Sequence, residues 1–351
     1  MVSAAPPGVA QAALQCPECA GQCVWDPSQR GLSCQSCGTV QDLTHPDDHE
    51  ARIEYGYDPD APELEPASRP AELEHSCQTC GGSVLFTGAA LSERCPYCDG
   101  PVVLSQASNG YDTMALIPFR VAEHVAQANT LDWVKGRIAA PSNLSEYVTQ
   151  GRVAGLYAPF WTFDSDEAVN YWAKYTTGSG DNKRTHSISG KMSIEFDDLL
   201  VPASQHVTPL IRDGILHEFQ PGRLRPYRSG YLSGFAAERH HQSVAEGLGQ
   251  NRSDKDLLIR NRIKRHIARN RVHGIRYRTD TTGIHYRRVL LPVWILHYDY
   301  AGKRKKVVVS GIDGRTFGER PFSPWKLAGY AGALSAVVIA LGLAWGGAGL
   351  L

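Results

Sequence analysis

Eight of the nine cysteines of this chain form two quartets with the same internal spacing. In each quartet a CxxC pair is followed, 14 residues later, by a second CxxC pair, and the quartets begin 61 residues apart. Their members are Cys16, Cys19, Cys34 and Cys37, then Cys77, Cys80, Cys95 and Cys98. Four thiolates close a tetrahedral shell around Zn²⁺ and leave no position for a catalytic water. The spacing therefore predicts two structural Zn²⁺ sites per chain, each in a zinc ribbon.

The elements that must hold these cysteines are short hairpins. The spacers carry β-prone residues, Val24 and Trp25 in the first and residues 84–86 in the second, near glycine-containing turns. Cys23 stands outside both quartets. It could enter the metal shell or act as a redox-sensitive thiol, but we favour a bystander because each quartet is complete without it. All nine cysteines precede residue 99, which is not the layout of a disulfide-stabilised secreted protein.

The other end of the chain has a different character. Residues 327–351 carry no charge, and about 20 apolar residues suffice for a helix to cross a membrane. The preceding residues 303–326 hold seven Lys or Arg and two acidic residues, so the positive-inside rule predicts a single-pass protein whose N-terminal body is cytoplasmic. The N-terminus has neither a basic segment nor an apolar run, so we expect no secretory signal.

Small residues recur at every fourth position of this apolar segment, a spacing that lets two membrane helices approach closely. Self-association or packing on a partner helix is one interpretation, and an alanine-rich composition is the other. The positions are Ala328, Gly332, Ala336, Ala340, Ala344 and Ala348.

Composition divides the remaining chain. Residues 42–74 hold eleven acidic residues against two arginines, which predicts a flexible acidic linker. After it, segments rich in β-branched and aromatic residues alternate with helix-like stretches at 121–137 and 231–271. Pro292 interrupts one strand-like run and indicates an edge or a bulge. We predict a multidomain α+β protein: zinc ribbon 1 (1–40), linker (41–74), zinc ribbon 2 (75–106), an α+β body with antiparallel sheet (110–322) and a transmembrane helix (325–351).

The stretch before residue 271 combines an apolar stripe with a basic face. Leu248, Ile259, Ile263 and Ile267 form the stripe. The basic face could meet lipid headgroups, nucleic acid or the acidic linker, or could simply be solvated. Its residues are Arg260, Lys264, Arg265, Arg269 and Arg271.

Several functions find little support in the residues. No phosphate-binding loop or dinucleotide fingerprint is present, and the histidines are scattered, so we expect no enzyme and no catalytic residues. A cryptic site around Trp161, Trp172 and Trp294 is the weaker alternative. Lys plus Arg equal Asp plus Glu at 36 each, and each quartet encloses one arginine, Arg30 or Arg94. Phosphate contacts need several cations, and one arginine per quartet is too few. Nucleic-acid binding by the ribbons is therefore only the second interpretation.

Ten sequence segments carry a family resemblance across nearly the whole chain. They are CPEC, CQSC, CQTC and CPYC at the quartets, then IPF (117–119), LYAPFWTFD (156–164), VPAS (201–204), GYLSGFAAE (230–238), LLPVWILHYDYAGK (290–303) and GERPFSPWK (318–326). In these segments the chain resembles bacterial proteins labelled TFIIB-type zinc-ribbon-containing, some of which carry the label primosomal protein N′. The resemblance implies a non-enzymatic scaffold at the cytoplasmic face of the bacterial inner membrane. It also implies protein partners of the SPFH (flotillin-like) or phage-shock-protein-A-like type during envelope stress.

Overall fold

The computed structural model describes residues 14–44, 46–61, 67–68, 74–87, 94–105, 109–215, 219–250, 252–319 and 321–348. The strands are Cys23–Asp26 (β1), Gly31–Cys34 (β2), Val40–Gln41 (β3), Tyr55–Gly56 (β4), Ala67–Ser68 (β5), Glu74–Cys77 (β6), Ser83–Phe86 (β7), Val102–Leu104 (β8), Asn109–Gly110 (β9), Ala115–Leu116 (β10), Arg152–Thr177 (β11), Arg184–Pro202 (β12), Arg225–Pro226 (β13), Ala236–Ala237 (β14), Val272–Tyr300 (β15), Lys303–Ser310 (β16) and Thr316–Gly318 (β17). The α-helices are Glu123–Lys135 (α1), Leu144–Thr149 (α2), Pro209–Ile215 (α3), Val244–Gln250 (α4), Arg252–Ile267 (α5) and Pro324–Ala348 (α6). Short 3₁₀ helices span Pro46–Arg52, Gly180–Asn182, Pro221–Arg223 and Ser229–Leu232.

Two long antiparallel strands, β11 and β15, form the axis of the body and pair along most of their length. Around them lies a sheet of twelve described strands, which extends through β14 to β7, β6 and β8 on one side and through β10 to β13 on the other. Residues 289–296 of β15 are all buried, because alternate side chains pack into core clusters on the two faces of the sheet. The α+β body is thus present, and its sheet is mostly antiparallel, although β10 pairs with β15 and β14 with β11 in parallel.

The second ribbon continues this sheet instead of forming a separate module. Its strand β7 pairs with β14 of the body, and β6 pairs with both β7 and β8. Cys77, Val84 and Cys95 of the ribbon share one core cluster with body residues such as Ile117 and Phe160. The described residues therefore contain no hinge between 75–106 and the body.

The first ribbon has its own three-stranded sheet, β1–β2–β3, and packs its hairpin on the body. The main chain of Trp25 donates to the carbonyl of Ser233 at 3.0 Å, and its ring lies 4.9 Å from that of Tyr231. Cys16 and Leu32 also belong to a core cluster that is completed by the body. Both ribbons are consequently fixed to the same scaffold.

A three-stranded arm extends the axis beyond the main body. It consists of residues 164–177 of β11, 184–196 of β12 and 272–285 of β15, and helix α5 covers one of its faces. At about 3.3 Å per residue the arm is roughly 40 Å long. The predicted stripe of Ile259, Ile263 and Ile267 is buried against the arm. Leu248, a residue of α4, packs instead in a separate cluster.

Buried polar contacts also hold α5 to the arm. Glu167 is fully buried, forms an ion pair with Lys255 of α5, and accepts hydrogen bonds from Thr279 at 2.7 Å and Thr281 at 2.8 Å. A buried carboxylate needs such partners because it has lost its hydration.

The helical prediction for 231–271 holds only from residue 244, since the preceding segment contributes a 3₁₀ turn and strand β14.

The acidic segment at 46–57 differs from the flexible linker that its composition predicts. It forms a 3₁₀ helix and then strand β4, which pairs with β15. Asp48 pairs with Arg228 at 3.0 Å and Arg225 at 3.4 Å, and Glu54 pairs with Arg287 at 3.0 Å. Body arginines therefore neutralise the acidic residues and order the segment. Residues 62–66 and 69–73 of the predicted linker lie outside the described residues.

Two local features concern β15 and β16. Residues 311–315 connect β16 to β17, and Val308 and Val309 of β16 pair with Phe317 and Thr316 of β17. The edge or bulge expected at Pro292 is wrong, since β15 is an interior strand. Pro292 lies where the neighbour of β15 changes from β10 to β16, so its missing N–H falls between two ladders.

Candidate functional site

All four CxxC turns of the two quartets have the same backbone geometry. In each, the N–H of the first cysteine donates to the carbonyl five residues on at 2.7–2.9 Å, and its carbonyl accepts from the N–H four residues on at 2.8–3.0 Å. The residue after each second cysteine is left-handed: φ is 57° at Ala20, 76° at Gly38, 76° at Gly81 and 60° at Asp99. Four copies of one tight turn therefore aim eight sulfurs at two points.

The sulfur positions match closed tetrahedral metal sites. A tetrahedron with Zn–S bonds of about 2.3 Å has S···S edges of about 3.8 Å. In the first quartet Cys16 lies 3.6 Å from Cys37 and Cys19 lies 3.5 Å from Cys34, and in the second the corresponding distances are 3.5 and 3.8 Å. Each quartet lies within 4.8 Å, as expected for four ligands around one ion. Both groups can thus bind zinc.

The two sites differ in how far solvent reaches them. Cys19 and Cys37 of the first quartet are exposed, whereas every cysteine of the second is buried or half-buried. In the first quartet the main-chain N–H groups of Cys37 and Ser36 lower the pKa of Cys34 to about 6, which favours the thiolate that a metal requires.

Cys23 is a fully buried part of strand β1 and not a member of either quartet. Its main chain pairs with Cys34, and its thiol accepts a hydrogen bond from Gln41 at 3.6 Å. Burial raises the pKa of Cys23 to about 11, which removes the thiolate on which reactivity depends. The geometry favours the bystander interpretation.

The last CxxC turn joins the second site to the body through successive residues. The carbonyl of Pro96 hydrogen-bonds His297 at 2.8 Å, and the hydroxyl of Tyr97 donates to Glu238. Asp99 pairs with Arg152 at 2.8 Å and with Arg94 at 2.9 Å. The one arginine enclosed by this quartet is thus already engaged, which argues against phosphate binding by the ribbon.

Glu238 lies fully buried behind this turn. Its second oxygen accepts a hydrogen bond from Ser204 at 2.7 Å. Burial raises its pKa to about 7, although Tyr97 and Ser204 both donate to it. A carboxyl whose pKa is raised into the physiological range therefore connects the body to the second metal site.

A groove of about 830 Å³ lies between the two ribbons on the surface of the body. One wall belongs to ribbon 1 and the other to ribbon 2, and Phe235 and Trp294 contribute apolar surface to the floor. The residues that define it best are Trp25, Asp26 and Gln35, then Phe86, Arg94 and Pro96, and Gly155, Phe235 and Trp294 on the floor. A Cβ on Gly155 would lie 2.6 Å from the ring of Phe235, so glycine at this position lets Phe235 pack directly on the strand. The sequence did not indicate this groove, because its walls come from distant segments.

A third group of metal-ligand residues, Glu54, Asp164 and Asp198, surrounds an arginine. The buried guanidinium of Arg287 binds Asp198 and Glu54 and donates to Thr162 at 3.1 Å. A hydrogen bond with Asp164, together with burial, raises the pKa of Glu54 to about 7. Arg287 supplies the positive charge that a metal ion would otherwise provide, so we interpret this cluster as structural.

The predicted basic face is present on α5 and its C-terminal end, but not all of it is available. Arg260 pairs with Asp256 at 2.7 Å and stacks on Tyr277. Lys264, Arg265, Arg269 and Arg271 are exposed. The opposite face of the arm, which α5 does not cover, adds Lys174, Lys191, Arg276 and Arg278 around Trp172, whose ring is 46% exposed.

The three tryptophans of the alternative enzymatic interpretation lie in different places. Trp161 is buried near α4, Trp294 is in the core below ribbon 1, and Trp172 is on the arm. They do not line one pocket. His240 is also buried, hydrogen-bonds the carbonyl of Phe160 at 3.0 Å, and has its pKa lowered to about 3 by burial.

Helix α6 is long and apolar enough to cross a membrane, and none of its candidate span, Pro324–Leu343, is buried. Its 25 residues extend about 37 Å. In a regular helix each step of four residues drifts by about 40°, so the stripe from Ala328 to Ala348 winds about 200° around the axis. Only neighbouring members, such as Gly332 and Ala336, can share one packing face.

Comparison with known proteins finds one distant relative. The uncharacterised protein YdjG of Bacillus subtilis (strain 168) is 23% identical over 341 residues, which cover 94% of this chain and 96% of that protein. No protein family matches the chain. No solved structure matches it either. At this identity the relative assigns neither a family nor a function.

Proposed function

We propose that the chain is a non-enzymatic, membrane-anchored adaptor that recruits a protein partner through the groove between its two zinc ribbons. Helix α6 anchors it in the bacterial cytoplasmic membrane, and the cationic flank before the helix favours a cytoplasmic body. By resemblance, the partner is an SPFH-type or phage-shock-protein-A-like protein in membrane organisation or envelope stress. The groove carries this proposal, because both metal sites are needed to build its walls.

The groove suits an extended segment of a partner. Its floor includes β11 residues 152–155, which pair with β15 on one edge. On the other edge β14 pairs only from Leu156 onward, and no described strand pairs with that edge at residues 153–155. An exposed edge can accept a further strand, whose side chains then enter adjacent pockets.

A matched pair of variants tests the groove. Gln35 and Gln29 are both exposed on ribbon 1, but only Gln35 lines the groove. Affinity purification of the full chain from its own membranes should recover the partner with wild type and Gln29→Trp, and lose it with Gln35→Trp. Equal recovery with both variants would count against the groove.

Nucleic-acid binding is the second candidate function, and the arm favours it more than the ribbons do. On the face of the arm that α5 does not cover, four exposed cations surround the exposed Trp172. An aromatic ring among cations is a common platform for single-stranded nucleic acid. Binding of generic RNA or DNA that falls steeply with salt and is lost in Arg276→Glu would replace the adaptor interpretation.

Self-association through α6 remains a proposal. Gly332→Ile with Ala336→Ile should reduce crosslinked dimers of the chain in membranes, because bulk at adjacent small positions separates helices. Unchanged crosslinking would favour the compositional explanation of the stripe.

A further inference from the structure

Three consecutive carbonyls of the α1–α2 loop (residues 136–143) hydrogen-bond the start of helix α6. The carbonyl of Ile138 accepts from the hydroxyl of Tyr330 at 3.3 Å, that of Ala139 from the N–H of Ser323 at 2.9 Å, and that of Ala140 from the amine of Lys326 at 2.8 Å. The loop therefore lies against the first two turns of the apolar helix.

The entry to the helix is also fixed to the body. Glu319 donates its N–H to the carbonyl of Lys306 at 3.0 Å, and its carboxylate pairs with Lys305 at 2.7 Å. Ser323 caps the helix, with its hydroxyl 3.4 Å from the N–H of Lys326, and Pro324 follows at the first position. The body surface around the loop must consequently sit at the level where the helix begins.

Large apolar side chains project from this surface. Ile138 at the loop tip is 73% exposed, Phe322 is 63% exposed and Trp325 is 86% exposed. Lys135, three residues before Ile138 in the chain, is exposed, and the guanidinium of Arg137 lies 5.1 Å from the ring centre of Trp133. Apolar and aromatic side chains with adjacent cations form the composition that enters the boundary between headgroups and acyl chains.

We propose that the α1–α2 loop is a second membrane contact, in which Ile138 and Phe322 enter the acyl boundary of an anionic bilayer beside helix α6. Lys135 and Arg137 face the headgroups. The proposal rests on membrane anchoring by α6 and extends it, because the contact fixes how the body sits on the bilayer. Lipid is the occupant because this surface is continuous with the anchor: the loop residues that expose Ile138 also bind the helix that enters the bilayer.

Photo-crosslinking with lipid tests the membrane anchor α6 and the contact of the α1–α2 loop separately. The full chain is reconstituted in vesicles of phosphatidylethanolamine and phosphatidylglycerol that contain a phospholipid with a diazirine in its acyl chain. Adducts are then mapped by mass spectrometry. We expect adducts on residues 327–343 and on the peptide that contains Ile138.

The variants Ile138→Asp and Leu257→Asp form a matched pair, since Leu257 is 58% exposed on α5, far along the chain from the helix. Ile138→Asp should reduce loop adducts about tenfold and leave those on 327–343 unchanged, whereas Leu257→Asp should change neither. Adducts on the helix without any on the loop would overturn the second contact alone. Absence from both would overturn the anchor together with the loop contact.

Discussion

The indole N–H of Trp25 in ribbon 1 donates to the carbonyl of Phe119 in the body at 2.9 Å, although 94 residues separate them. Phe119 in turn stacks on Phe235, with ring centroids 4.2 Å apart, and Phe235 lies on the floor of the groove. Docking of the ribbon and the shape of the groove are therefore coupled through one buried contact.

Replacement of this tryptophan should loosen the ribbon without emptying its metal site. Trp25→Phe removes one buried donor, at a cost of about 1 kcal/mol, which corresponds to about fivefold faster opening. Hydrogen exchange of the β1–β2 peptide, followed by mass spectrometry, measures it. The control Trp172→Phe on the arm should leave that peptide unchanged, and equal exchange in both variants would contradict the coupling.

Loss of one ligand should cost one metal ion. Wild type should contain about two zinc ions per chain and Cys34→Ser about one, because three thiolates no longer close the shell. Cys23→Ala, at a buried position outside the quartets, should retain about two. Elemental analysis of the purified chain decides, and two zinc ions in Cys34→Ser would be inconsistent with the assigned ligands.

Removal of zinc by a chelator should occur in two phases. The first quartet exposes Cys19 and Cys37, whereas the second is covered by the body, so the ribbon 1 ion should leave first. A chromogenic chelator measures the release rates. Cys34→Ser should abolish the fast phase and Cys95→Ser the slow one; the opposite assignment would argue against solvent access as the cause.

Truncation of Arg287 should unfold the region where the acidic segment meets the body. Arg287→Met leaves Glu54, Asp164 and Asp198 without their cation, and breaking a buried pair costs about 3–5 kcal/mol. Urea titration of the detergent-solubilised chain measures the loss in free energy of unfolding. Arg276→Met, on the exposed face of the arm, should change it by less than about 0.5 kcal/mol.

The buried carboxyl of Glu238 should make stability depend on pH. Its folded pKa of about 7 lies above the ordinary value of 4.5. The free energy of unfolding that Glu238 contributes is therefore complete below about pH 4.5. It falls as pH rises towards 7, because the carboxyl ionises in the unfolded chain before it ionises in the folded one. Glu238→Gln stays neutral, so the variant should gain stability relative to wild type between pH 5 and 7.5. Thermal unfolding at several pH values measures the difference, and a constant difference would show that Glu238 does not titrate in this range.

Local chemistry accounts for the features that could be predicted from the residues alone. Eight cysteines at repeated short spacing identify their ligand groups, because each CxxC turn is completed by hydrogen bonds within six residues. The apolar helix is equally readable, since its length and lack of charge belong to one continuous segment. The stripe of Ile259, Ile263 and Ile267 follows from helical periodicity.

How these parts fit together follows from contacts between segments that are distant in the chain. The acidic segment looked flexible because its neutralising partners, Arg225, Arg228 and Arg287, lie more than 170 residues away in the chain. The groove and the contact between Ile138 and Tyr330 likewise join segments that no local pattern relates. Residue spacing reports the bonds that a segment makes with itself. Docking depends instead on the long-range pairing of β11 and β15, on which the other strands of the large sheet assemble.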